Sequence, residues 1–292
     1  MKKHELRRKN GPISPKKKIK TALVFLIVNS ILFFCATGAF SEILLEDDFE
    51  TDDDLAKWMH PFDADGDIQY NSFAHTGDQS ARIYYYVPAG EPEHRSTDRA
   101  LNAYFAESEG IETINVRGYF YIPFVNHPHD GSSRTYRKLF YIKGHDWVSW
   151  SQTVSVTDDD WGETPSMGLT AGGAENVIGL AKVTYDEWHC LELHLDLNTP
   201  GSADGTVRIW LDGDMVYENT SAETRESDED VPLKNVQIGE QVDKNGDTES
   251  REEYRYWDDI VITDGTYIGP VQDNQTSQLA PPLNMSIGSI QN

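Results

Sequence analysis

The sequence predicts an all-β chain folded as a two-sheet antiparallel sandwich or jelly roll. Three observations predict it. Residues 185–217 alternate apolar and polar side chains with a period of two. Short runs rich in Tyr, Val and Ile recur along the chain, separated by Gly and Pro. No segment keeps a 3.6-residue period.

Residues 185–217 carry the clearest pattern. Leu191, Leu193, Leu195 and Leu197 share one face, with Glu192, His194 and Asp196 on the other, as in a half-buried strand. Val207, Ile209 and Leu211 then oppose Arg208, Trp210 and Asp212. Residues 198–205 between the two runs are dense in turn formers, and Asp212, Gly213 and Asp214 make a second turn before residues 215–217. Two amphipathic strands cannot bury their apolar face alone, so a second sheet must cover it.

The other elements follow in order. Residues 1–41 combine a basic start, an apolar run over 21–36 and small residues near Ala39 and Ser41, the layout of a cleaved secretory signal. An uncleaved anchor is the alternative, because residues 21–40 match the ~20 residues that span a bilayer. Cleavage places the mature chain outside the membrane, secreted or periplasmic. Residues 43–47 open the mature part as a short strand, followed by an acidic turn and residues 55–58. Strands are expected at 80–87, with Arg82, Tyr84 and Tyr86 on one face, and at 115–124, with Arg117, Tyr119 and Tyr121 on one face. Residues 137–143, 236–239 and 254–263 complete the set. Residues 271–292 are polar and read as a tail or linker. The domain is therefore 42–270, long enough for one large core.

Charge narrows the partners. Residues 1–41 hold nine of the 25 Lys and Arg and one of the 49 Asp and Glu. The rest keeps 16 basic against 48 acidic residues, a net charge of −32. Such a surface repels nucleic acid and anionic membranes. Cys190 is the one cysteine after residue 41, so no disulfide forms within the mature chain. Residues 82–143 are the exception in charge, with eight basic and seven acidic residues.

The motif Trp188-His189-x-Leu191-Glu192, then Leu197-Asn198-Thr199-Pro200-Gly201, Asp204-Gly205, Trp210 and Asp212-Gly213, resembles the concanavalin A-like jelly rolls of polysaccharide lyases. The alginate and glucuronan lyase-like group is the most similar, with heparin-lyase-like and laminin-G-like modules as neighbours. Residues 46–50 (EDDFE), 256–263 (YWDDIVIT) and 267–270 (YIGP) resemble the first and last strands of that fold. The resemblance implies a uronate-directed lyase acting by β-elimination on a polysaccharide. Such chemistry needs a base and a cation or amide to hold enolate charge. Arg117 would neutralise the carboxylate and Tyr119 or Tyr121 would be the base, acidified by neighbouring arginines. His127 and Tyr141 are further candidate bases. Arg82, Tyr84 and Tyr86 would bind substrate. Arg95 and Arg99 would do so too, in a stretch that resembles the lyases' Arg-Ser-Glu-x-Arg strand with its acidic position shifted. The lyases' Gln-x-His motif has no clear counterpart.

Calcium is a separate expectation. Asp63, Asp65 and Asp67, and Asp243, Asn245 and Asp247, place oxygens at alternate positions. The resemblance implies Asp48 and Asp258 as ligands joining first and last strands. Glycoside hydrolysis needs two carboxylates flanking one bond. Glu192 and Asp196 share a face, but no Glu-x-Asp-x-x-Glu strand is present. Ser/His/Asp triads and phosphate loops are not indicated. The alternative to an enzyme is a non-catalytic carbohydrate-binding, adhesive or structural module, stacking sugars on Tyr84, Tyr86, Tyr119, Tyr121 and Trp210.

Overall fold

The computed structural model describes residues 42–51, 54–58, 68–87, 100–106, 109–124, 136–144, 151–159, 166–173, 176–225, 231–240, 242–243, 251–265 and 267–271. The segments expected as a signal (1–41) and a tail (after 271), Arg95, Arg99, His127 and the loop at 63–67 lie outside these residues, as does 244–249.

The strands are β1 (Ile43–Asp47), β2 (Ile68–Asn71), β3 (Ser80–Val87), β4 (Leu101–Tyr104), β5 (Thr113–Tyr121), β6 (Tyr136–Gly144), β7 (Ser151–Asp159), β8 (Ser166–Gly172), β9 (Val177–Thr184), β10 (Trp188–Asp196), β11 (Gly205–Leu211), β12 (Asp214–Ala222), β13 (Leu233–Ile238), β14 (Val242–Asp243) and β15 (Arg251–Thr263). One 3-10 turn, Asp54–Lys57, falls where residues 55–58 follow the acidic turn. The first sheet runs β12-β11-β10-β5-β15-β3-β2, with β1 also on β15. The second runs β4-β13-β6-β7-β8-β9, with β14 on β6. Among the described residues no helix is long and apolar enough to cross a membrane.

The core lies between the sheets, where alternate residues of each strand meet. Leu191, Leu193, Leu195, Val207 and Ile209 face it from the first sheet, and Val236, Ile238, Ile142, Val154 and Leu169 from the second. Trp257 fills the centre, its ring 5.8 Å from Phe120 and 5.7 Å from Phe140. Polar groups also cross the core. Arg137 of β6 donates from Nε to Glu253 of β15 at 2.8 Å, and Arg255 donates to the Lys138 carbonyl at 3.1 Å. Removing one partner of such a buried pair costs about 3–5 kcal/mol, so it ties the sheets under Lys138.

Strand β10 corrects one expectation. It is not half-buried: Cys190, Glu192 and His194, opposite the leucines, are buried too. Residues 73–76 and 267–271 lie over this outer face of the first sheet. Tyr119 stacks on His75, and Glu192 accepts the N–H groups of Ile268 and Gly269. A local sequence pattern carries no signal of cover arriving from such distant residues.

Two of the register breaks in the sheets bear on the site. In β6 the register slips between Lys138 and Phe140, so Leu139 and Phe140 both enter the core. That places Lys138 on the same outer face as Tyr141, which strict alternation would forbid. In β15 the slip falls between Asp258 and Val261, and Asp259 adopts a φ of 47° there.

Candidate functional site

The outer face of the first sheet holds most of the residues expected in the site. Arg82, Tyr84 and Tyr86 share it with Arg117, Tyr119 and Tyr121, but β15 with Tyr254 and Tyr256 lies between the two sets. Arg117 donates to the carbonyls of Gly269 at 3.2 Å and Asp259 at 3.1 Å, holding the bulge and the segment after β15. The Tyr119 oxygen accepts the Val271 N–H at 2.9 Å. Tyr121 packs among Phe73, Tyr256 and Trp188, and its hydroxyl donates to Asp186. Burial raises both phenols well above their usual range, and the Arg117 charge beside Tyr119 only partly opposes it. Burial thus works against the acidified phenol expected from the sequence. Trp210 packs on Tyr267 with ring centroids 4.8 Å apart. Cys190 is free and buried, its thiol pushed up to about 12 by burial.

Asp48 and Asp258 do not form a joint ligand set. Asp48 is exposed, and its Oδ1 accepts the Glu50 N–H. Asp258 is fully buried and accepts N–H groups from His75, Thr76 and Asp259. A polar cavity of about 250 Å³ opens beside β1, lined by Glu46, Asp47, Asp48, Arg117 and Asp259. Among the described residues no three His, Cys, Asp or Glu side chains are grouped to hold a metal. His189 lies between Asp212 at 2.8 Å and the Thr184 hydroxyl at 3.0 Å, a triad-like order. Its Nε2 also faces the Thr184 carbonyl at 3.2 Å, which requires an N–H there, so the ring donates rather than acting as a base.

The second sheet presents a different outer face. Core residues alternate there with polar ones, and the register aligns the polar ones in rows across strands. One row is Asn102, Gln237, Tyr141, Thr153 and Gly172. The next is Tyr104, Asn235, Lys143 and Ser151. A third is Lys138, Ser155 and Thr170. The centre is Tyr141. The Lys138 Nζ lies 4.2 Å and the Lys143 Nζ 4.1 Å from its ring centroid, both within cation–π range. Glu240 bridges the two ammonium groups, at 3.2 Å from Lys138 and 3.6 Å from Lys143. Gly239 delivers Glu240 to this position. Its φ of +71° turns the chain out of β13, and a Cβ there would meet Trp257 Nε1 at 2.7 Å. The cluster brings two ammonium groups and one carboxylate together around the Tyr141 ring.

Tyr141, Lys138 and Lys143 belong to the basic stretch the sequence singles out. Glu240, Gln237, Asn235 and Asn102 were missed. Alternating polar residues on β13 look like an ordinary solvated face, and the bulge at Leu139 hides that Lys138 and Tyr141 are neighbours.

No family model and no curated protein matches the chain by sequence. Solved structures do match. An endo-β-1,4-glucuronan lyase from the fungus Trichoderma reesei superposes with a TM-score of 0.53 at 12% identity, covering 76% of this chain and 95% of that one. The fold is that of the jelly-roll polysaccharide lyases. An alginate lyase from a Chlorella virus (TM-score 0.47, 11% identity, 76% of this chain and 99% of that one) is also similar. So is a carbohydrate esterase of the Shiga toxin-encoding bacteriophage phi24B (0.48, 15%, 76% and 98%).

Proposed function

We propose that this protein is an exported polysaccharide lyase that cleaves a uronate-containing chain by β-elimination on the outer face of its second sheet. The observation that carries the reading is the Tyr141 ring with two ammonium groups in cation–π range, both paired with Glu240. The ammonium groups are assigned to the negative charge that develops on the uronate carboxylate. With its own proton given up to solvent, the Tyr141 phenolate takes the proton from the carbon bearing the carboxylate and becomes the phenol. That C–H electron pair becomes the ring double bond, and the glycosidic oxygen leaves with the proton the phenol returns. Arg95 and Arg99, just before β4, are assigned to flanking sugar contacts.

The product is an unsaturated uronate that absorbs in the ultraviolet. The purified protein, given glucuronan, alginate and heparin-type chains, is expected to raise that absorbance on at least one. Tyr141→Phe is expected to lower kcat by about 100-fold or more with melting unchanged. Full activity in that variant would refute the assigned base.

One observation favours a second reading, a non-catalytic glycan-binding module. On the first sheet Tyr86 is 45% exposed, and Arg82 lies over Tyr254, which pairs with Tyr84 at 5.3 Å. Retained binding with no absorbance on any chain would select it.

A further inference from the structure

Three amides on the outer face of the second sheet take no part in the proposed elimination. Asn102 of β4 and Asn235 and Gln237 of β13 are all fully buried. Their orientations fix one another. Asn102 donates from Nδ2 to the Ala100 carbonyl at 2.9 Å, so its Oδ1 must be the acceptor facing β13. That oxygen receives Gln237 Nε2 at 2.6 Å and Asn235 Nδ2 at 3.4 Å. Both β13 side chains thus turn their NH2 groups toward Asn102 and their carbonyl oxygens away from it. Neither Asn235 Oδ1 nor Gln237 Oε1 has a hydrogen-bond partner among the described residues. Rotating either amide would set oxygen against the Asn102 oxygen, so the arrangement cannot relax by a flip. A buried acceptor left without a donor costs about 1–3 kcal/mol.

The two oxygens stand beside the proposed site. Gln237 is directly opposite Tyr141, and Asn235 directly opposite Lys143. We infer that Asn235 and Gln237, aligned by Asn102, form a specificity subsite that reads unsubstituted sugar hydroxyls next to the reacting uronate and excludes sulfated ones. The inference rests on the glycan-directed reading of this face. A hydroxyl brings the donor that each oxygen lacks. An O-sulfate brings acceptor oxygens and negative charge against two fixed acceptors. These amides therefore cannot hold the uronate carboxylate, which falls to Lys138 and Lys143. Tyr141, opposite Gln237 in the same row, is partly exposed and gives the sugar its approach to the oxygens.

The test is calorimetric binding of oligoglucuronates of one length in three forms: unsubstituted, O-sulfated and O-methylated. The purified wild-type chain is expected to bind the unsubstituted form about 100-fold more tightly than either other form, in line with a site whose buried acceptors are left unpaired. The O-methylated form removes the donors without adding charge, so this arm needs no variant. Gln237→Met, similar in length but without the acceptor, is expected to reduce the discrimination to about 10-fold. Equal affinity for all three forms would overturn the subsite while leaving the proposed function intact. No binding of any uronate chain would overturn both.

Discussion

Asp258 shows how an environment outweighs a motif. It lies in the YWDDIVIT stretch that resembles a lyase's last strand, yet the carboxylate is spent on the backbone of residues 75–76 and 259. Burial, aided by the adjacent Asp259 charge, pushes it up to about 8 against those N–H donors. The folded chain then holds a proton that the unfolded chain releases near pH 4. The stability due to this group is greatest below that pH and falls as pH rises toward 8, with a slope of at most about 1.4 kcal/mol per pH unit. Chemical denaturation from pH 4 to 8 is expected to show this decline. Asp258→Asn is expected to flatten it while lowering stability overall, because an amide nitrogen cannot accept the N–H groups of His75 and Thr76. A decline unchanged in the variant would assign it to other groups. Residues such as Arg117 and Tyr119 teach the same lesson. Their types and their shared face were legible in the sequence, but their partners come from residues 259 and 267–271, which local spacing does not link to them.

At the scale of elements, the strands whose leucines, valines and isoleucines alternate were legible because burial of one face imposes that period. Strands β2, β4, β7, β8 and β9 were not singled out. Strands β2 and β4 span only four residues each, and β9 is largely exposed, Ile178 included, so the period carries little contrast there. The β6 bulge and the Gly239 turn were also illegible, and together they assemble the Tyr141 cluster. Gly239→Ala is expected to cost about 2–4 kcal/mol, from a left-handed backbone and a Cβ pressed on Trp257 and Ile83. Loss of stability should be accompanied by loss of activity as Glu240 shifts. An alanine variant with wild-type melting would show that the turn tolerates a side chain.

For the whole molecule, the net charge of −32 beyond residue 41 makes ion effects general before they are specific. Calcium and magnesium at matched ionic strength are expected to raise the melting temperature equally, as screening of self-repulsion would. A saturable rise confined to calcium would place a stabilising ion.

Strand β15 lies at the middle of the first sheet, bonded to β5 on one side and to β3 and β1 on the other. Its partners at residue 43 and at residues 81–87 precede it by roughly 165 to 220 positions. Until β15 is synthesised, that sheet exists only as two fragments with open edges, β12-β11-β10-β5 and β3-β2. Pairing over such separations is slow to form, because a long loop must close before any contact rewards it. The chain therefore cannot complete its sandwich while still being made. A chain ending before residue 251 would expose the edges of β5 and β3, each ready to recruit strands from other copies. Translation through residue 263 is the condition for closing this sheet, and the last of the described strands to leave the ribosome is the one that closes it.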